Sequence, residues 1–275
     1  MPELPEVETV KRTLEKKLAG LTFEAVKLHM PKIVRLPTPE EFADFLKGKK
    51  ISRLGRRGKY LLLHLSGGYT LVIHLRMTGR LVYTTAEAPL EKHTHAVFAL
   101  SNGDQLRYTD IRQFGRMMLA PTAELDEMPG LKTLGVEPLS GNFTREFMKK
   151  ELKRRRIRLK ALLLDQSFIA GLGNIYVDEA LHRAGLHPER LAAGLSPRET
   201  THLYQAIKDV LNEGINNRGT SFRDYVDGDG RPGNYQEKLA VYSKEGKPCL
   251  KCGKPINRIR VAGRSSYFCP HCQKP

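Results

Sequence analysis

Four cysteines constrain this chain more than any other feature. They stand at 249, 252, 269 and 272, and no other cysteine occurs among the 275 residues. Two Cys-X2-Cys pairs separated by sixteen residues can supply four thiolates to one tetrahedral ion, which is the spacing of a zinc site. Four protein ligands leave no position for water, so one zinc ion with a structural role is predicted. An iron–sulfur or redox role for the same pairs is the lesser alternative. A secreted disulfide framework is disfavoured, because no further cysteine is available as a partner. Between the pairs, residues 258–268 read strand, turn, strand, with Arg264 at the tip. His271 lies inside the second pair and is not read as a ligand. Residues 235–275 are therefore predicted to be a zinc-binding β-hairpin.

The rest of the chain is long enough, and at 40% hydrophobic residues apolar enough, for two ordinary domains with their own cores. The formal net charge is +16 and the pI is about 9.7, which points to a polyanionic partner. The excess is uneven: residues 1–130 carry +5 and residues 131–275 carry +11. No apolar run is long enough to span a membrane, and the N-terminus lacks an apolar signal segment. No strongly basic amphipathic helix stands alone, so a membrane surface is the weaker reading of the charge. A cytoplasmic monomer that meets nucleic acid is expected.

The chain opens Met1-Pro2-Glu3-Leu4-Pro5-Glu6-Val7-Glu8. Removal of Met1 would leave Pro2 with a secondary α-amine, which titrates near pH 8, roughly two units below lysine. Such an amine can attack an electrophilic sugar carbon and form an iminium, as lysine does in Schiff-base enzymes. Glu3 and Glu6 could move the protons. The plainer reading is a capped amphipathic helix. Pro5 suits a first turn, and Val7, Val10, Leu14 and Leu18 recur at helical spacing.

Short apolar runs follow at 22–29, 60–65, 69–75, 80–83, 95–100, 105–108 and 117–120, with turn signals between several of them. They predict a β-sandwich over residues 1–130, with a short helix near 40–48. Gly55–Lys59 sets three cations among glycines, a pattern that can hold a phosphate. Residues 131–140 read as a hinge, with a nucleic-acid cleft placed between the flanking domains. Residues 141–234 read as helical. Six cations fall in 153–160, and the turn at 165–173 delivers Gly171, Gly173 and Asn174 to a helix N-terminus, where backbone N–H groups attract phosphate. Asn174 could cap that helix. Residues 214–234 form a long polar loop, which in a compact protein is mobile or functional.

Five ordered blocks resemble the formamidopyrimidine-DNA glycosylase family: the opening octet; His74-Leu75-Arg76-Met77-Thr78-Gly79; Asp110-Ile111-Arg112-Gln113-Phe114-Gly115; the segment from Leu164-Asp165-Gln166 through Asp178-Glu179-Ala180-Leu181; and the cysteine hairpin. The resemblance implies an α+β multidomain fold: an N-terminal helix plus β-sandwich, a helix–two-turn–helix domain and the zinc hairpin. It implies a bifunctional DNA glycosylase and apurinic/apyrimidinic lyase acting on oxidised purines opposite cytosine, with damaged double-stranded DNA as partner. Pro2 would be the nucleophile, with Glu3 and Glu6 beside it. Lys59 would be linked to β-elimination and Arg264 to δ-elimination. Met77, Arg112 and Phe114 would fill the hole left by the flipped nucleotide, Arg112 bonding the orphaned cytosine. His74, His93, Arg155, Lys160, Gly173 and Asn174 would contact DNA, whereas His95 is read as structural. A lone His74 or Met77 would otherwise be ordinary packing.

The chain departs from the family at Arg218, where a glycine is usual in the loop that covers the flipped base. Two alternatives stay open. One is an endonuclease VIII-like enzyme for oxidised pyrimidines, against which Leu4 and the Met77, Arg112 and Phe114 set argue. The other is a zinc-ribbon binding protein without catalysis.

Overall fold

In the computed structural model, which describes residues 2–274, the first helix α1 spans Leu4–Leu18. Glu3 is its N-cap. The Glu3 carboxylate takes the Glu6 amide and the Glu6 carboxylate takes the Glu3 amide, a reciprocal capping box. Leu4, Val7, Val10, Leu14 and Leu18 are all fully buried, so the helical stripe is the core face. Each such burial contributes roughly 1.5–3 kcal/mol.

Among the described residues, nine strands and one α-helix follow: β1 (Phe23–Leu28), β2 (Val34–Leu36), α2 (Pro39–Leu46), β3 (Ile51–Arg57), β4 (Tyr60–Leu65), β5 (Tyr69–His74), β6 (Gly79–Thr84), β7 (Thr94–Leu100), β8 (Gln105–Asp110) and β9 (Arg116–Pro121). They form a four-stranded sheet in the order β1-β7-β8-β6 and a five-stranded sheet in the order β2-β9-β5-β4-β3. All pairs are antiparallel except β2 with β9. Apolar residues of both sheets and the α1 stripe share one core, so the predicted sandwich is present.

The second unit holds α3 (Arg145–Lys153), α4 (Leu159–Leu164), α5 (Asn174–Ala184), α6 (Pro197–Asn216) and the hairpin β10 (Asn257–Val261) and β11 (Arg264–Phe268). Thr144 caps α3 through its side chain, and α5 ends on Gly185 in the left-handed conformation. No helix among the described residues is long and apolar enough to cross a membrane.

The chain divides differently from the sequence expectation. One compact unit takes the residues up to Lys132 plus Ile215–Gln236, and the other takes Thr133–Gly214 plus the residues from Glu237 onward. The polar loop thus belongs with the β-rich unit, and the zinc hairpin with the helices. The division at Lys132 and Thr133 falls within the expected hinge at 131–140, and the later residues of that segment pack in the second unit. The Gly135 amide donates to the Gln166 carbonyl, and Val136 pairs with Ile169. A Cβ on Gly135 would stand 2.2 Å from the Phe168 carbonyl oxygen, so a bulkier residue would break this seam.

Candidate active site, nucleic-acid interface and metal centre

Capping geometry builds the N-terminal site. Pro2, Glu3 and Glu6 are buried. Glu6 Oε2 accepts the Glu3 amide at 2.8 Å, and Glu6 Oε1 accepts the Thr220 amide at 2.7 Å. The Tyr225 hydroxyl lies within hydrogen-bond reach of the carbonyls of Glu6 (3.2 Å) and Arg218 (3.0 Å), between which its one proton is shared. The loop expected as a flexible cover is therefore fastened to the first turn of α1. Glu6, expected beside the nucleophile as a proton carrier, spends its carboxylate on backbone donors.

Arg218 has φ +61°, in the left-handed region that glycine enters without strain. Its guanidinium bonds the fully buried Asp227 carboxylate. Asp227 also takes the amides of Asp229 and Arg231. The departure from glycine is thus matched by a buried anion on the far side of the loop.

The cation cluster 56–59 divides its labour. Arg56 Nε donates to Glu8 at 3.0 Å and Arg56 Nη1 to the Gly58 carbonyl at 3.0 Å. Burial alone would raise the Glu8 pKa; hydrogen bonds from Arg12 and Arg56, with the Arg56 charge, outweigh it and hold it below the usual range. Arg56 is therefore an internal tie between α1 and the β3–β4 turn, not the phosphate contact its loop suggested. Lys59 is buried at that turn. His74 stands opposite Tyr60 on β4 and packs edge-on against its ring at 4.6 Å. Burial, helped by Arg76 and Lys59, pushes the His74 pKa down to about 3. Its Nδ1 accepts the Arg76 amide at 3.0 Å. His74 is thus a neutral and largely enclosed imidazole.

Met77, Arg112 and Phe114 come together, as their motifs implied. Arg112 Nη1 lies 3.0 Å from the Met77 sulfur, and its guanidinium stands 5.0 Å from the Phe114 ring centre. Met77 is 40% and Phe114 49% exposed, too open for core packing. The buried Asp110 carboxylate holds the group together. It accepts the Thr78 hydroxyl, the Arg112 amide (3.2 Å), the Gly115 amide (2.8 Å) and the Tyr108 hydroxyl (3.1 Å). A Cβ on Gly115 would meet the Tyr108 oxygen at 1.5 Å, which explains the glycine. His95 is buried with a ring nitrogen 2.7 Å from the Asp110 carbonyl, a structural placement. His93, at φ +66°, offers its carbonyl to the Asp110 amide at 3.1 Å.

In the helical unit, Gln166 fastens the irregular turn. Its amide donates to the carbonyls of Leu164 and Leu172 and accepts from Gly171. Gly173, not Asn174, is the N-cap of α5, and Asn174 turns its amide to the Ser265 carbonyl at 2.9 Å. Arg155 pairs with Glu151 and lies over the Phe168 ring. Lys160 is fully buried, and its ammonium donates to Asp178 (2.7 Å) and the Ser265 carbonyl (2.8 Å). That corrects the expected DNA contact: DNA cannot reach an ammonium enclosed by protein. Glu179 accepts three amides, from Ala240, Val241 and Tyr242.

The four cysteine sulfurs all lie within 4.8 Å of one another, with Cys252 and Cys269 at 3.4 Å and Cys249 and Cys272 at 4.0 Å. A tetrahedron with zinc–sulfur bonds of about 2.3 Å has edges of about 3.8 Å. The donors fit one zinc ion in number, kind and spacing, and its role is structural. Amides of Lys251 and Cys272 point at cysteine sulfurs, as thiolates require.

Sequence reasoning missed Arg56, Thr78, Asp110, Asp178 and Glu179 as site builders. Asp110 and the Asp178-Glu179 pair lay within the quoted motifs, so a signal existed. Thr78 gave none.

Three family models match the chain. That for the Formamidopyrimidine-DNA glycosylase N-terminal domain matches residues 1–117, that for the Formamidopyrimidine-DNA glycosylase H2TH domain matches 134–226, and that for a zinc finger found in FPG and IleRS matches 246–275. A formamidopyrimidine-DNA glycosylase from Desulforamulus reducens is 61% identical over 275 residues, covering 100% of this chain and 99% of that one. A point mutant of the Lactococcus lactis FPG, solved in complex with a Fapy-dG containing DNA, superposes with a TM-score of 0.94 at 38% identity, covering all of both chains. MutM in complex with carbocyclic 8-oxo-G containing DNA gives 0.93 at 39% identity, again covering all of both chains.

Proposed function

Because this chain belongs to the formamidopyrimidine-DNA glycosylase family, we propose that it excises 8-oxoguanine and formamidopyrimidines opposite cytosine and then cuts the strand at the emptied site. It is a DNA glycosylase of base excision repair, in a family that couples base removal to lyase cleavage. The observation that carries the residue-level reading is the first turn of α1: Pro2 directly precedes a capping box whose members are Glu3 and Glu6.

With Met1 removed, the Pro2 nitrogen is an amine that is partly neutral near pH 8. Flipping the damaged base costs a few kcal/mol of stacking and pairing. Met77 and Phe114 replace part of the lost stacking, and Arg112 donates to the unpaired cytosine. The Pro2 nitrogen attacks C1′ and the base leaves with its bonding pair; the amine then gives up its proton, its lone pair opens the sugar ring by breaking C1′–O4′, and Glu3 carries that proton to O4′. The resulting iminium acidifies the C2′ proton. Its loss breaks the C3′–O bond, and a second elimination breaks the C5′–O bond. Lys59 serves the first elimination and Arg264 the second. His93, Arg155, Gly173 and Asn174 bind the DNA, and the work is done in the cytoplasm by a monomer.

Borohydride trapping on a duplex containing 8-oxoguanine opposite cytosine, followed by peptide identification, tests this. The expected adduct is on Pro2. Binding without an adduct would favour the non-catalytic reading, and faster excision of thymine glycol than of 8-oxoguanine would favour the endonuclease VIII-like one.

A further inference from the structure

Lys160 is a fully buried lysine at the start of α4, yet it does not serve a ligand. Its ammonium is shared between the Asp178 carboxylate on α5 and the carbonyl of Ser265 on β11. The same carbonyl takes a second donor, the Asn174 amide from the first residue of α5. The other Asp178 oxygen accepts the amide of Tyr267, two residues along β11, at 3.0 Å. Three side chains from α4 and α5 therefore grip alternate backbone groups of one strand. Arg264, the first residue of β11, adjoins the gripped carbonyl. The neighbouring Glu179 holds the amides of Ala240, Val241 and Tyr242, ahead of the first cysteine pair.

We propose that Lys160, Asn174 and Asp178 are positioning residues that fix Ser265 and Tyr267, and through them the place of Arg264 in the second elimination. This rests on the role of Arg264 given above. A buried ion pair is weak as a source of stability, since well-packed apolar residues often replace it without loss. What an apolar pair cannot reproduce is two donors on one carbonyl and a carboxylate on one amide. Zinc holds the hairpin's base at the cysteines, whereas this clasp holds the strand that carries the arginine. A lysine placed for phosphate would need an open ammonium, and this one is enclosed.

The test compares the wild-type zinc-loaded protein with Lys160→Met/Asp178→Leu, which removes both buried charges, and with Arg264→Ala. Zinc content and trapping on Pro2 are expected to persist in the double variant. Its share of doubly eliminated product is expected to fall about tenfold, the scale of one lost charge-assisted hydrogen bond. Adding Arg264→Ala should then lower it only to the level of Arg264→Ala alone, less than the two effects multiplied, because both act through one group. Hydrogen exchange at the Tyr267 amide, which loses its Asp178 acceptor, should quicken in the double variant while zinc stays bound. Unchanged exchange, or an unchanged product share where Arg264→Ala abolishes it, overturns the proposal. If Arg264→Ala itself leaves the second elimination intact, the assigned role of Arg264 fails instead, and the exchange measurement still decides the clasp.

Discussion

Glu6 Oε1 accepts the Thr220 amide at 2.7 Å, joining the first turn of α1 to a loop 214 residues further along the chain. The other oxygen takes the Glu3 amide, so one buried carboxylate serves two backbone donors. A glutamine has only one carbonyl oxygen and must face one of those N–H groups with its NH2. Glu6→Gln should therefore cost about 1–3 kcal/mol, the usual penalty for an unsatisfied buried donor. Hydrogen exchange at Thr220 is expected to speed up, and trapping on Pro2 to slow. An unchanged exchange rate at Thr220 would show that the loop does not depend on this bond.

Arg218 and Asp227 form the second fastening of the same loop. Replacing Arg218 by glycine removes left-handed strain of about 1 kcal/mol but strands the buried Asp227 charge. Arg218→Gly alone should lower stability, and Arg218→Gly/Asp227→Asn should recover most of it. Urea denaturation of the single and double variants measures the coupling. Additive effects would mean that the pair does not interact.

The wedge depends on Thr78, whose hydroxyl bonds Asp110 and accepts the Arg112 amide at 3.1 Å. Thr78→Val keeps the shape and deletes both bonds, so the loops bearing Met77 and Arg112 should lose their fixed relation. Discrimination between lesions opposite cytosine and opposite adenine is expected to fall about tenfold, and Thr78→Ser should restore it. Loss of overall stability with discrimination intact would make Thr78 merely structural.

Much of this is legible in the sequence, and what is not has a pattern. The buried strands β4, β5 and β7 announce themselves as apolar runs. The strands β2 and β3 give no such signal, and both are edges of the five-stranded sheet. An edge strand pairs on one side only and can carry an exposed charge that blunts it, as Arg53 does on β3. Met77, Arg112 and Phe114, which lie in two separate motifs, stand together because short loops fix them on one hub. Charge is the poorest guide. Arg56, Lys160 and Glu6 all look available to a ligand or a proton, and each is committed to a partner distant in sequence: Glu8, Asp178 and Thr220. Spacing along the chain cannot reveal such partners.

His74 supplies a pH test. Its pKa is about 3 in the fold and about 6.5 when unfolded, because burial resists the charge. A depressed pKa contributes stability above the unfolded value, which is lost as pH falls toward the folded one. Between pH 7 and pH 5 the unfolded state gains a proton that the native state refuses, a loss of about 2 kcal/mol. His74→Gln should show a pH dependence shallower by that amount in urea melts. Equal slopes would place the His74 ring in contact with water.

Arg56 separates a tie from a phosphate contact. The Arg56–Glu8 pair is largely buried, with side chains 10% and 14% exposed. Arg56→Met leaves Glu8 with its exposed partner Arg12 only, so stability should fall by about 3 kcal/mol, as when one member of a buried pair is removed. The Gly58 carbonyl loses its bond from Arg56 as well, which loosens the turn carrying Lys59. Trapping on Pro2 and the first elimination should both slow. A group that neutralises a phosphate contributes about one unit to the slope of log affinity against log salt. Arg56→Met should leave that slope unchanged, because its guanidinium is engaged inside the protein. A slope shallower by about one unit would put Arg56 on the DNA after all and return the loop to its sequence-based reading.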